Sequence, residues 1–518
     1  MNEWSTGYVT DITYTPGYYA ELNPLAFRFS LLGAGLHSPK IRTACELGFG
    51  LGISTVLHAA SQPETEFWGT DLNPDHVLHA KSLAQSAALP IHLFDQSFAE
   101  FCTRDDLPDF DYIGLHGVWS WISDENRQII VDFVKRKLKV GGGLYISYNT
   151  LPGWTDALPM RHLLVQHTKS MGADGQNIVE KVQAALGFFE KFAAVEPVYL
   201  KNHPHVQQRL NQIKSQPASY VAHEYFNADW KPMHFADVAA MLTEAKLRFA
   251  CSAHFPDQLD DLNLNPAQRQ LVSEISDVHL RETVKDMIVS RQFRKDYWIR
   301  GSLTMSHWQQ LDELKTTRVM LVTPKEEINL KVHGHNLAAD LNIKLYQPLI
   351  DALANFESKS LLEIQQVVSK EQEVSLLQVR EACLILAAKG VLKVLQEESA
   401  IQAAQAACRQ INQRILEQSR SRNVIPYLAC AKFGGALAVE KLEQLFIYAI
   451  NQGQAGLNAE DICRKVMPYF YPFGNRMIKN GNIIEPEQEN WTAMVEKANY
   501  FLKEKLPLYK QLDLIQPN

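Results

Sequence analysis

Three glycines and two acids at fixed spacing are the residues of this sequence best suited to chemistry. The segment ACELGFGLG places Glu46 two residues before Gly48, and Gly50 and Gly52 follow at every second position. Glycine lets a chain turn sharply and leaves no Cβ between the backbone and a ligand. Asp71 closes the next apolar run, where a carboxylate can accept hydrogen bonds from ribose hydroxyls. This combination predicts a nucleotide-binding turn.

A strand, a helix and a second strand must position these groups. Residues 43–47 form a short apolar run before the glycines, which predicts a buried strand. Residues 53–60 follow as a predicted helix whose N-terminus faces the ligand. A dinucleotide fingerprint, G-x-G-x-x-G, would need its third glycine at the position of Ile53. The spacing therefore differs from the dinucleotide fingerprint.

The spacing E-x-G-x-G-x-G, with an acid at the next strand end, resembles motif I of the class I S-adenosylmethionine-dependent methyltransferases. The resemblance implies that Glu46 lies near the amino acid end of the cofactor and that the glycines pass beneath it. It also implies that Asp71 binds the ribose and that Leu72, beside it, lines the same site. The expected cofactor is S-adenosylmethionine.

The third predicted strand, residues 91–94, ends in Asp95-Gln96-Ser97. By the same resemblance, Asp95 accepts a hydrogen bond from the adenine amino group, and Gln96 or Ser97 contacts the ring edge. The alternative is that Asp95 only caps the next helix.

Candidate groups for the methyl acceptor follow the fourth and fifth predicted strands. Residues 109–115 lead into His116, and residues 143–148 lead into Asn149. Both positions lie at the carboxyl end of a strand, where open α/β sheets bind ligands. We expect both side chains to orient cofactor or substrate. A histidine that only packs within its loop is the alternative for His116.

The segment 1–40 precedes the first strand and is rich in aromatic residues. Tyr14 and Tyr18 are the candidates there, because a phenol ring can wall a pocket, hold a cation and offer a hydroxyl. In class I methyltransferases the N-terminal segment often folds over the cofactor. The alternative is that these tyrosines pack a helix onto the domain.

Four further segments narrow the family: ISYNTLPGW at 146–154, HEYFN at 223–227, WKPMHF at 230–235 and QFRKDY at 292–297. They resemble bacterial methyltransferases that carry a methyltransferase regulatory domain, a group that includes protein-lysine methyltransferases of bacterial surface proteins. The resemblance covers roughly residues 8–305. Phe49 stands where many members have Cys. An (Asn/Asp)-Pro-Pro-(Tyr/Phe) loop is missing, so an amine acceptor follows from the resemblance alone.

Five strands alternating with helices predict an α/β fold with a Rossmann-like, doubly wound parallel sheet. We assign residues 1–155 to the cofactor-binding core with its aromatic N-terminal segment. Residues 156–308 are assigned to a helical cap and regulatory domain, whose predicted strands at 247–254 and 297–303 complete the sheet. A winged-helix-like domain is predicted at 309–398, and a helical domain at 399–518.

Composition narrows the cell compartment and the partners. The net charge of −7 disfavours general nucleic-acid binding. Seven scattered cysteines indicate buried free thiols in a reducing compartment. Neither a signal peptide nor an apolar run of membrane-spanning length is present, so we expect a cytoplasmic protein. His-x-His pairs at 203–205 and 333–335 lack further ligands at metal-site spacing, and we predict no metal site.

These features together favour a protein-lysine N-methyltransferase that acts by in-line methyl transfer. Such a reaction needs alignment and exclusion of water more than acid–base chemistry. The length beyond the catalytic part predicts a protein substrate, or a homodimer formed through the C-terminal domains. One alternative is a methyltransferase acting on a small molecule or glycan. Another is a non-catalytic interaction protein that retains the cofactor fold.

Overall fold

The computed structural model describes residues 16–172, 175–335, 338–421, 424–453, 458–479, 482–484 and 487–515. Within them, seven strands form the largest sheet. These strands are β1 (Thr43–Leu47), β2 (Glu66–Thr70), β3 (Ile91–Phe94), β4 (Phe110–Leu115), β5 (Leu138–Asn149), β6 (Arg248–Ser252) and β7 (Phe293–Ile299).

The strand order across this sheet is β3-β2-β1-β4-β5-β7-β6. Strands β1 to β5 run parallel, and β7 runs antiparallel to β5 and β6 on its two sides. The winding direction reverses between β1 and β4, and open α/β sheets bind ligands beyond the carboxyl ends of strands at such a point. The predicted doubly wound α/β sheet is therefore confirmed.

Helices cover both faces of the sheet. Those of the first half are α1 (Pro24–Gly33), α2 (Ile53–Ser61), α3 (Pro74–Gln85), α4 (Phe98–Cys102) and α5 (Asp124–Lys137). One face buries Phe133 and Trp298 in an apolar cluster, and the other buries Phe27 and Tyr112. Asn23 begins α1 by accepting a hydrogen bond of 2.8 Å from the backbone N of Leu25.

A helical cap is inserted between β5 and β6. It contains α6 (Leu158–Met171), α7 (Ile178–Ala194), α8 (Val198–Asn202), α9 (Pro204–Lys214) and α10 (Ala218–Tyr225). The cap has its own apolar cluster, which includes Met160, Phe189 and Leu210. Helix α11 (Phe235–Glu244) then returns the chain to the sheet, and α12 (Asp260–Asn263), α13 (Pro266–Ser273) and α14 (Val278–Val289) follow β6.

Strand β7 begins earlier than the sequence predicts. The predicted strand spans 297–303, whereas the observed strand spans Phe293–Ile299, so the predicted bounds are wrong by four residues. Arg294, near its start, is 3% exposed and bonds three carboxylates, those of Glu282, Asp286 and Asp296, at 2.8 to 3.0 Å. This network ties β7 to α14, a tertiary effect that local apolar patterning does not contain.

Helix α5 is shorter than predicted. The capping and charge pattern predicts a helix over 123–140, but α5 ends at Lys137 and Leu138 already belongs to β5. Strand β5 pairs with β4 on one side and β7 on the other. Those ladder bonds outweigh the helix propensity of the last three predicted residues.

The remaining elements follow the sheet in the chain. The helices are α15 (His307–Thr316), α16 (Ile343–Ala352), α17 (Leu361–Val368), α18 (Leu376–Ala388), α19 (Glu398–Gln418), α20 (Lys441–Asn451), α21 (Ala459–Phe470), α22 (Glu487–Tyr500) and α23 (Leu506–Gln511). The strands are β8 (Arg318–Leu321), β9 (Lys331–His333), β10 (Ala338–Asp340), β11 (Lys359–Ser360), β12 (Leu392–Val394), β13 (Tyr427–Cys430), β14 (Gly435–Ala438), β15 (Ile478–Lys479) and β16 (Asn482–Ile483). The winged-helix assignment of residues 309–398 stays a prediction.

One continuous apolar core links the C-terminal region to the catalytic sheet. Val56 and Leu57 of α2 belong to the same buried cluster as Ile411 of α19 and Phe446 of α20. All seven cysteines are buried free thiols, as predicted. None of the helices in the described ranges is long and apolar enough to span a membrane.

Candidate active site

The glycine turn between β1 and α2 has the left-handed backbone that glycine permits. Gly48, Gly50 and Gly52 have φ angles of +73°, +57° and +70°. A Cβ at Gly52 would lie 2.4 Å from the Cβ of Ala80, so this glycine also allows α2 to approach α3. At Gly50 no described atom lies within 4 Å of that position. The turn is therefore open at Gly50, where a ligand can reach the backbone.

Asp71 lies directly after β2 and faces this turn. Its Oδ2 accepts a hydrogen bond of 2.8 Å from the backbone N of Gly50, and its Oδ1 accepts one of 3.0 Å from the backbone N of Asn73. His76 Nδ1 lies 3.0 Å from the same Oδ1. A carboxylate has about four acceptor positions, so Asp71 is fixed by three contacts and retains capacity for a ligand hydroxyl. Leu72 adjoins it and is half-buried.

Glu46 is buried beneath the turn, and its carboxyl accepts a hydrogen bond from the hydroxyl of Thr55 on α2. The pKa of Glu46 is raised to about 8, chiefly by burial; the hydrogen bond from Thr55 opposes this shift and the charge of Asp71 contributes to it. Leu22 of the N-terminal segment covers the same face and leaves a space of about 10 Å³ beside Glu46. Glu46 is therefore held uncharged at neutral pH.

The three residues after β3, Asp95, Gln96 and Ser97, differ in the contacts that their side chains make. Ser97 caps α4, because its hydroxyl and backbone N both bond the carboxylate of Glu100 while its oxygen accepts from the backbone N of Glu100. Gln96 accepts from Arg104 at 3.2 Å through its side chain. Asp95 is exposed, and its carboxylate forms no hydrogen bond or ion pair with the described residues. The helix cap is thus Ser97, and the carboxylate of Asp95 is free for a ligand.

His116 follows β4 and is stacked on Tyr19 of the N-terminal segment, with ring centres 3.6 Å apart and planes inclined by 21°. Its Nδ1 lies 2.8 Å from the hydroxyl of Tyr145 on β5. Burial lowers the pKa of His116 to about 4, although the nearby carboxylate of Glu21 opposes the shift. The imidazole is therefore neutral at physiological pH.

Asn149 ends β5 and is 4% exposed. Its backbone N donates a bond of 2.8 Å to Ser120 Oγ, and its backbone O accepts one of 3.1 Å from the backbone N of Met233. Its side-chain Nδ2 is buried and has no partner among the described residues. An unpaired buried donor costs about 1–3 kcal/mol, so this amide is suited to donating to a bound ligand.

The hydroxyl of Tyr18 is bonded between α2 and β14, and the acceptor role predicted for Tyr18 stays a prediction. Its hydroxyl lies 3.0 Å from His58 Nε2 and accepts a bond of 3.1 Å from the backbone N of Ala436 on β14. His58 lies six residues along α2 from Gly52, about 9 Å at the usual helical rise. Tyr14 lies outside the described residues.

Tyr19 was not singled out by the sequence, although it is the tyrosine that reaches His116. Its backbone is extended, with φ −112° and ψ 101°, and neighbouring side chains of an extended chain point in opposite directions. Tyr18 and Tyr19 therefore belong to opposite sides of one segment. This alternation was the available signal, but the segment alone does not say which side faces the site.

Two residues of α10 in the cap complete the surroundings of Tyr19. The pKa of Tyr220 is raised to about 12, chiefly by burial, with smaller contributions from Glu224, Tyr225 and Tyr19. Tyr220 therefore lies near Tyr19, and Glu224 follows Tyr220 by one turn of α10. Glu224 lies in the HEYFN segment, but no spacing in the sequence connects it with His116.

Part of the chain matches a known protein family. Residues 217–300 match the family model described as a predicted methyltransferase regulatory domain. These residues include β6, β7 and all of α10.

Two solved structures of PKMT2 from Rickettsia typhi resemble nearly the whole chain. The structure in complex with AdoHcy has a TM-score of 0.69 at 18% identity and covers 96% of this chain and 100% of that chain. The other has a TM-score of 0.65 at 18% identity, with coverage of 97% and 99%. They show that this chain has the fold of PKMT2 along nearly its whole length.

Relatives by sequence extend over the same length. The protein sll1526 of Synechocystis sp. (strain ATCC 27184 / PCC 6803 / Kazusa) is 36% identical over 515 residues, which is 99% of both chains. The protein RP789 of Rickettsia prowazekii (strain Madrid E) is 24% identical over 382 residues, 70% of this chain and 67% of that protein. The chain therefore belongs to the family of the Synechocystis protein sll1526, with a match to a predicted methyltransferase regulatory domain at residues 217–300 and the fold of PKMT2.

Proposed function

We propose that this protein is a protein-lysine N-methyltransferase that uses S-adenosylmethionine and acts on a bacterial surface protein. The observation that carries the proposal is the stack of Tyr19 on His116 at the carboxyl end of β4, with the backbone N of Tyr19 bonded at 2.9 Å to Ser54 Oγ, two residues after Gly52. One half of this site suits a nucleoside, and the other half suits a cationic side chain.

The described residues fit the expected cofactor. Gly50 leaves open space above the turn, Asp71 is fixed with acceptor capacity to spare, and the carboxylate of Asp95 is free. Asp71 would hold the ribose hydroxyls, Asp95 the adenine amino group, and Glu46 would lie near the amino acid end. The bound cofactor supplies a methyl group on a sulfonium, which an amine displaces in line.

The acceptor side is the part of the proposed site formed by Tyr19, His116, Tyr220 and Glu224. Its side chains favour a lysine as the methyl acceptor for electrostatic reasons. The carboxylate of Glu224 attracts an ammonium group, and the rings of Tyr19 and Tyr220 offer negative faces to a cation. His116 is neutral because burial lowers its pKa to about 4, so it does not repel a positive substrate. Its ring is fixed by the stack on Tyr19 and by the contact with Tyr145.

The amine must lose its proton before it can accept a methyl group. Transfer from water into a buried, aromatic-lined site disfavours the charged form and lowers the pKa of a lysine. The imidazole of His116 is neutral, and the nearby ammonium of Lys295 is paired with the carboxylate of Glu21. Exclusion of water also prevents unproductive reactions at the sulfonium.

A protein substrate also agrees with the size of the chain. Residues 309–518 lie beyond the sheet and share a continuous core with α2. A small-molecule methyltransferase needs about one domain of the size seen here. The additional domains give a large surface on which a protein can be presented.

The test is transfer of labelled methyl groups. The purified full-length protein would be incubated with methyl-labelled S-adenosylmethionine and recombinant surface proteins, and the sites would be mapped by mass spectrometry. Label on lysine side chains supports the proposal. Label confined to carboxylates, to a glycan or to a small molecule would establish another methyltransferase, and a protein that fails to bind the cofactor would be an interaction protein. Asp71→Asn is the inactive control, and Asp75→Asn, exposed on α3, is its matched partner.

A further inference from the structure

A cavity lies beside the N-terminal segment, whose residues Ala20, Glu21 and Asn23 line it. It has a volume of about 200 Å³ and lies between α1, α18, β12 and the loop after β6. Leu25, Phe29, Leu384 and Phe433 supply apolar walls. Of the residues predicted to hold the cofactor or the methyl acceptor, Tyr18 is the one that lines it among the described residues.

One charged side chain that lines this cavity forms no ion pair with the described residues. Lys393, in the middle of β12, lines the wall, and its ammonium forms no hydrogen bond or ion pair with any described residue. Burial lowers the pKa of Lys393, and the carboxylate of Glu21 opposes that shift. A lysine ammonium has three donors, and a partly buried one without a partner is unfavourable.

The other charged groups of the cavity are already paired. The carboxylate of Glu21 lies 2.5 Å from the ammonium of Lys295. His254 Nδ1 lies 3.2 Å from a carboxylate oxygen of Asp257. The cavity therefore carries a surplus of one positive charge, located at Lys393, within apolar walls.

We propose that this cavity is a binding site for a small organic monocarboxylate with an apolar body, held by the ammonium of Lys393. The volume of this cavity suits a ligand of that size, because an apolar cavity of about 150 Å³ binds benzene. One carboxylate balances the surplus charge, whereas a doubly charged phosphate would leave a negative charge beside Glu21. The ligand class is thus an aromatic or branched carboxylic acid of about benzene's bulk.

This site differs from the proposed methyl-transfer site in its ligand chemistry, so the proposal does not depend on the proposed function. Glu21 lies between the two sites. Its backbone O accepts hydrogen bonds from Tyr112 and Tyr297, and its carboxylate influences the pKa of both Lys393 and His116.

The experiment is a titration of the full-length protein with 4-fluorobenzoate, followed by ¹⁹F NMR line broadening and by displacement with unlabelled benzoate. We expect saturable binding that Lys393→Met weakens by about tenfold or more, equivalent to 1.4 kcal/mol. Lys370→Met, an exposed lysine in the loop after α17, should leave the affinity unchanged. The neutral analogue 4-fluorobenzyl alcohol should bind about tenfold more weakly than the acid.

A second variant separates binding from folding. Ala26→Leu retains the charge of Lys393 but narrows the cavity, since Ala26 lines it. This variant should also lower the affinity for 4-fluorobenzoate. Lys393→Met removes an unpaired buried amine, so it should unfold no more easily than the wild type. Equal affinity in wild type and Lys393→Met, equal affinity for acid and alcohol, or no saturable binding up to about 10 mM would each overturn the proposal.

Discussion

Asp71 and Gly50 are joined by a hydrogen bond of 2.8 Å from the backbone N of Gly50 to Oδ2 of Asp71. The bond ties the end of β2 to the turn after β1, across the parallel pair that these strands form. The acid that would bind the ribose is therefore fixed to the same loop that would pass beneath the cofactor.

Asp71→Asn should weaken binding of S-adenosylmethionine by about tenfold or more without unfolding the protein. The variant keeps an acceptor for one backbone donor but loses the charge, and hydrogen bonds to charged groups are worth about 1.5–3 kcal/mol. Calorimetric titration measures the affinity. Asp75→Asn, four residues further on and exposed, should bind as the wild type does. Similar affinities in the two variants would contradict the ribose assignment.

Glu46 should make the protein less stable as the pH rises. Burial raises its pKa from 4.5 to about 8 in the folded state, so between these values the native state binds more protons than the unfolded state. The free energy of unfolding then falls with increasing pH across this window. Urea denaturation should show that the free energy of unfolding falls less between pH 6 and pH 9 in Glu46→Gln than in the wild type. An equal loss in the two proteins would mean that Glu46 is ionised in the fold.

The sheet was predictable because its signals are local. Residues 43–47 and 91–94 are short apolar runs bounded by glycine or acid, and both predicted strands match the observed bounds. The turn at Gly48, Gly50 and Gly52 was predictable for the same reason, since positive φ angles favour glycine.

The acceptor side was not predictable because it is assembled from distant segments. Tyr19, His116 and Glu224 come from the N-terminal segment, the loop after β4 and the cap. Which of Tyr18 and Tyr19 faces the site depends on how the segment crosses the sheet, a tertiary property. Ser97 rather than Asp95 caps α4 because the reciprocal bond needs Glu100 three residues later.

Tyr18→Phe and Tyr19→Ala should have opposite effects, although the residues are adjacent. Tyr18→Phe leaves His58 Nε2 and the backbone N of Ala436 without their partner. Unfolding should become easier by about 1–3 kcal/mol, with methyl transfer unchanged. Tyr19→Ala removes the stack on His116 and should lower kcat/KM with a smaller effect on stability. Denaturation and single-substrate kinetics on both variants test this, and a catalytic defect in Tyr18→Phe would contradict the assignment.

Glu224→Gln should raise the KM for a lysine substrate by about tenfold while affinity for the cofactor stays the same. The reason is the loss of a carboxylate near a cationic side chain in a partly buried site, where such pairs are worth more than at the surface. Glu196→Gln, in the cap but exposed, is the matched control. The KM should also rise with salt less steeply in Glu224→Gln than in wild type. Unchanged kinetics would place the substrate ammonium elsewhere.

Gly50→Ala and Gly52→Ala distinguish a turn that binds ligand from one that only folds. Both glycines have positive φ, so each alanine costs roughly 1–2 kcal/mol of strain. At Gly52 the new methyl would also lie 2.4 Å from the Cβ of Ala80, and we expect a marked loss of stability as α2 and α3 separate. At Gly50 the methyl meets no described atom within 4 Å, so the fold should persist while the methyl occupies the space a cofactor needs. Thermal denaturation together with cofactor titration separates the two outcomes, and Gly50→Ala that binds the cofactor normally would show that the open side of the turn is not the binding site.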